Sequence, residues 1–118
     1  MRTLIDEIHA VSPDIRYVAI CADGRLESSV KAGLAGASSP ESDKYEELIV
    51  NPTLVTLLSR RGDIDCGGMQ FVIVRYGNFF EFVAPIPGGH VSVGIDERAD
   101  PLSLAPRIQA LADRNMHR

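Results

Sequence analysis

The chain has 118 residues, 45% of them hydrophobic and 24% charged, with a formal net charge of −4. That length suffices for one domain that buries about two-thirds of its unfolded surface and folds without covalent staples. The acidic balance gives phosphate groups nothing to bind, since the one basic cluster, Arg60-Arg61, is followed at once by Asp63 and Asp65; nucleic acid is excluded as an expected partner.

In chain order, Arg2–Val11 comes first, with Leu4, Ile5, Ile8 and Val11 on one stripe and Arg2, Asp6 and His9 on the other side. This is the pattern of an amphipathic helix. Ser12-Pro13-Asp14 ends it, because a residue before proline avoids the α region. Tyr17–Cys21 reads as an apolar strand. Asp23-Gly24 is the strongest short hairpin signal in the chain, and Arg25–Val30 returns as a strand with a largely polar face, which suits a sheet edge. Lys31–Pro40 is small, polar and glycine-containing, and is expected to be a loop.

Tyr45, Leu48, Ile49, Pro52, Val55 and Leu58 then recur at spacings that fit one helical face. Pro52 removes a backbone donor, so the spacing predicts two helical pieces. These are Pro40–Val50 and Pro52–Arg61, with Asn51 as the second N-cap and Gly62 as terminator. Three strand-like runs follow: Gln70–Arg75, Phe79–Pro85 and His90–Ile95, separated by Tyr76-Gly77-Asn78 and Pro87-Gly88-Gly89. Asp100-Pro101 is a cap with proline at the first helical position, and Leu104, Ile108 and Leu111 continue a last helix. Pro106 places the start of its regular part near Ser103. The order is helix, two strands, helix, three strands, helix, an α+β arrangement in a single domain over 1–118.

Catalytic or metal chemistry finds little support. His9, His90 and His117 are scattered, and no His-x-x-x-His or Cys-x-x-Cys spacing occurs, so no metal site is expected. His90 opens a strand beside a turn and reads as a half-exposed surface residue. Cys66, His90 and Asp63 would make a nucleophile–base set only if the fold brought them together, and Cys66 has no cationic helper. Gly67-Gly68 and Gly88-Gly89 lack the Gly-Lys-Ser/Thr of a phosphate loop and supply turn geometry instead. No cofactor and no enzymatic activity are expected. No apolar run reaches the ~20 residues that a bilayer span needs. The first ten residues carry Asp6 and Glu7 rather than a signal-peptide pattern. With two cysteines, Cys21 in an apolar strand and Cys66 beside glycines, the expected location is cytoplasmic.

Three stretches carry a resemblance to the Roadblock (dynein light-chain) family, whose domain is profilin-like: YVAICADGRLESS (Tyr17–Ser29), FVIVRYGNFFEFVAPIPGGHVSVGI (Phe71–Ile95) and the helix from Pro101 onward. The likeness spans about Arg2 to Asp113. It departs at Pro52, which interrupts a normally more continuous helix, and at the Lys31–Pro40 loop. The resemblance implies a five-stranded antiparallel sheet with the middle helix on one face and the terminal helices on the other. It also implies a homodimer through the middle helix and the strand after it, and roles in regulating small Ras-like GTPases or scaffolding larger complexes.

The edge position that the family gives Gln70–Arg75 conflicts with that strand's two apolar faces. A second subunit would resolve the conflict. The expected dimer residues are therefore Tyr45, Leu48, Val55, Leu58, Gln70, Val72 and Val74. The expected core comprises Ile5, Ile8, Val18, Ile20, Leu48, Val55, Phe71, Ile73, Phe82, Val93, Ile108 and Leu111. The alternative function is a small-molecule-sensing, PAS-like domain, which would need a cavity between sheet and helix.

Overall fold

The computed structural model describes residues 2–31 and 39–116. Its strands are β1 (Ile15–Ala22), β2 (Arg25–Val30), β3 (Val72–Arg75), β4 (Phe79–Ile86) and β5 (Gly89–Asp96). They form one five-stranded sheet in the order β2-β1-β5-β4-β3, antiparallel throughout. Helices α1 (Arg2–His9) and α4 (Pro101–Met116) cover one face. A middle helix, made of α2 (Pro40–Tyr45), a π-helical turn (Glu46–Val50) and α3 (Asn51–Asp65), covers the other. The expected fold class and element order hold. Most of the Lys31–Pro40 loop, and His117, lie outside the described residues.

The hairpin signal at Asp23-Gly24 works as its chemistry requires. Both residues have positive φ (54° and 78°), the condition for a tight turn whose twist matches the strands. On the α1/α4 face the period-two alternation of three strands places Val18, Ile20, Phe82, Ala84, Val91, Val93 and Ile95 in one buried layer, closed by Leu4, Ile5, Ile8 and Ile108. Phe71, Ile73 and Leu111 pack against it partly buried. Asp100 caps α4 as expected, its Oδ1 accepting from the Leu102 amide at 3.2 Å. That helix is regular from Pro101, however, and contains Pro106 in its second turn. Pro106 is exposed, on the side where water can serve the carbonyl that the ring leaves without a donor.

The middle helix departs most from expectation. Pro52 does not split it. Asn51 is helical (φ −65°, ψ −43°) rather than an N-cap, and its amide reaches back five residues to the Glu46 carbonyl. The wider π turn answers the two problems proline brings, the missing donor and the clash with the carbonyl four residues earlier. Gly62 does not terminate the helix; it lies within α3 and is buried. A Cβ there would sit 2.9 Å from the backbone of Gly68 and Met69. Its carbonyl accepts from the amides of both Cys66 and Gly68. Glycine is required because the chain leaving the helix doubles back across it. Leu48, expected in the core, is 51% exposed, since the apolar stripe of this helix points outward.

Candidate interaction surface and the polar layer beneath it

Under the middle helix the strands carry polar side chains. Alternation that sends Phe82 and Val93 to the apolar face sends Glu81, His90 and Ser92 to the other. From the helix, Glu47 and Asn51 (one turn apart) point down to meet them. All five are buried, Glu47 and Asn51 completely. Glu47 Oε1 takes a hydrogen bond from His90 Nε2 at 2.7 Å and another from Asn51 Nδ2 at 3.2 Å. Its Oε2 accepts from the Ser92 hydroxyl at 2.6 Å. Asn51 Nδ2 also reaches Glu81 Oε2 at 3.3 Å, while Asn51 Oδ1 is buried with no partner among the described residues.

Electrostatics follow from that crowding. Burial, then the charges of Glu47 and Glu46, push the Glu81 carboxyl well above the ordinary carboxylate range, and the Asn51 bond only partly opposes them. Burial and Glu47 likewise raise the Tyr17 hydroxyl and the Cys21 thiol. At the rim, Tyr76 donates to Glu46 Oε2 at 3.0 Å; burial and that bond push the Tyr76 hydroxyl up to about 12. A thiol raised in this way is a poor nucleophile. The reading of His90 as half-exposed is corrected: it is 2% exposed, because it sits on the inner face of β5 under the helix. Its partner is Glu47, not Cys66 or Asp63. Cys66 is exposed at the far end of α3, and among the described residues no group of His, Cys, Asp and Glu could hold a metal ion.

The outer face of the same helix is apolar. Tyr45 (63%), Ile49 (53%), Leu57 (59%) and Ile64 (75%) are exposed along with Leu48. Ile49, Leu57 and Ile64 are separated by eight and seven residues, spacings that fall on one broad helical face. In the sheet, β3 is an edge strand. Val72 and Val74 are half-buried there, and Gln70, just before the strand, is exposed. Tyr76 donates its amide to the Phe79 carbonyl at 2.9 Å. By antiparallel alternation, Val74 and Val72 therefore bond inward to β4, and Ile73 and Arg75 turn their backbone groups to the open edge.

Of the residues expected at the dimer surface, Tyr45 and Leu48 stand on the exposed stripe, and Gln70, Val72 and Val74 lie on or beside the edge strand. Leu58 is half-buried. Val55, expected in the core as well, is also only half-buried. It lines an open cleft of about 450 Å³ between α3 and the two hairpin turns, with Cys21, Pro52, Pro85 and His90. Ile49, although on the predicted helical face, and Leu57 and Ile64 were not singled out; their spacing was the available signal. The buried layer was missed altogether.

The sheet order and the helices on both faces define a profilin-like architecture. No sequence-family model matches the chain, and no curated protein matches it. Solved structures do. The Roadblock/LC7 domain from Streptomyces avermitilis superposes with a TM-score of 0.72 at 18% identity, over 97% of this chain and 92% of that one. The gliding protein MglB from Thermus thermophilus gives 0.67 at 13% identity, over 98% and 87%. MglB from Myxococcus xanthus gives 0.64 at 12%, over 98% and 93%. The fold is that of the Roadblock domains. No helix among the described residues is long and apolar enough to cross a membrane.

Proposed function

We propose that the chain is a non-enzymatic, cytoplasmic interaction module that works as a homodimer and docks a small Ras-like GTPase or a related scaffold component. One observation carries the reading: apolar side chains (Tyr45, Leu48, Ile49, Leu57) stand exposed on the middle helix of a sheet in which β3 is, among the described residues, an edge strand. A patch of this kind on a soluble domain marks an association site, and an open strand edge needs cover. The Roadblock fold supports a partner that is itself a GTPase or a GTPase assembly.

In this reading the module contributes no group to the partner's chemistry and acts by positioning the partner's own switch segments. The exposed arginines at the end of α3 are poor candidates for a finger. Arg61 is engaged with Asp65 at 2.7 Å, one turn on.

Affinity capture from native extract with the native chain and with Leu48→Glu tests this. The native chain should retain a small GTPase and the variant should not. Arg60→Ala and Arg61→Ala should leave both binding and GTP hydrolysis unchanged. The open cleft beside Val55 is the observation favouring a small-molecule sensor. Capture that enriches a metabolite and no GTPase would put that reading first.

A further inference from the structure

The polar layer holds two buried carboxylates with unequal support. Glu47 accepts from His90, Ser92 and Asn51, whereas the hydrogen bond shown for Glu81 is the longer one from Asn51, whose single Nδ2 serves both acids. Two ionised carboxylates bridged by one neutral amide repel each other in a dry layer, and the one with fewer donors is the one that keeps a proton.

The groups bearing on this site come from every element around it. Tyr17 and Cys21 stand on β1, Asp43, Glu46 and Glu47 on the middle helix, Tyr76 on the turn before β4, and His90 on β5. Among them His90 is the one base, and it is already bonded to Glu47. We infer that the middle helix is seated on the sheet by a layer that closes only while Glu81 carries a proton, so that rising pH loosens this helix and leaves the α1/α4 side in place. This inference goes beyond the proposed partner: the layer lies beneath the helix, not on its outer stripe, and acts whether or not the chain is paired.

The direction with pH is fixed by where the proton is held longer. Glu81 is raised in the folded chain, so below the ordinary glutamate pKa of ~4.3 both folded and unfolded chains are protonated and the full stability is present. Between that value and the folded pKa only the folded chain holds the proton. Stability therefore falls as pH rises through this window, by at most about tenfold in the folding equilibrium constant per pH unit.

The test uses the native chain and Glu81→Gln, which mimics the protonated acid. Carboxyl-carbon NMR from pH 4 to 9 should show one glutamate titrating above the ordinary range, assigned by through-bond experiments on the native chain. Amide protection in α3, corrected for intrinsic exchange, should fall with pH in the native chain but not in the variant, while α4 stays level in both. Glu81 titrating with the exposed glutamates would overturn the inference. So would loss of protection spread evenly over α3 and α4. If the variant does not fold, the titration and the contrast between the two helices in the native chain still decide. Adding Leu48→Glu should change neither result, which separates this inference from the dimer.

Discussion

Beneath α1 and α4 the sheet presents Val18, Ile20, Phe82, Val91, Val93 and Ile95, all buried. Beneath the middle helix the same strands present Tyr17, Cys21, Glu81, His90 and Ser92. The first layer is held by burial of apolar area, worth about 1.5–3 kcal/mol for each large side chain and indifferent to direction. The second is held by hydrogen bonds that work only in one register, and its net contribution is small because each group gave up water to make them. The apolar face holds the fold together, and the polar face fixes how the middle helix sits on it. A helix seated by Glu47 and Asn51 can turn its apolar stripe outward, where a partner can use it.

The contrast can be broken from either side. Phe82→Ala empties the centre of the apolar layer and should cost about 4 kcal/mol in denaturant unfolding, with a similar loss at pH 5 and pH 8. Glu47→Gln should cost about 2–3 kcal/mol by the same measurement, because an amide cannot accept from His90, Ser92 and Asn51 together. Leu48→Glu sharpens the comparison: the side chain is half exposed, so stability should move by no more than about 0.5 kcal/mol, while any self-association is lost. Equal costs for Leu48→Glu and Phe82→Ala would mean that the outer stripe belongs to the core of the single chain.

Much of the architecture was legible because it is local. The Asp23-Gly24 turn, the meander after Phe71 and the Asp100 cap each carry their own chemistry within a few residues. The helix stripe was legible as a stripe but not as a direction, since a period near 3.6 says that one face is apolar and not which neighbour it meets. Leu48 was placed both in the core and on the dimer surface for that reason. The polar layer was hidden because its members lie far apart: His90 and Ser92 are 43 and 45 residues from Glu47, and Glu81 is 30 from Asn51. Two clues were present. Glu81 interrupts an apolar run on a strand covered on both faces, which demands a buried partner. Asn51 follows Glu47 by one turn, and reading it as a cap for Pro52 concealed that pairing. Pro52 itself misled because a π turn absorbs it, a solution that the sequence does not announce.

A second copy of the chain is proposed to cover the exposed helix stripe and the β3 edge. Multi-angle light scattering on the native chain at high micromolar concentration tests it most directly. A homodimer gives a mass of twice 12.8 kDa, falling to the single-chain value in Leu48→Glu with the fold intact. A native chain that stays at 12.8 kDa under those conditions would contradict it.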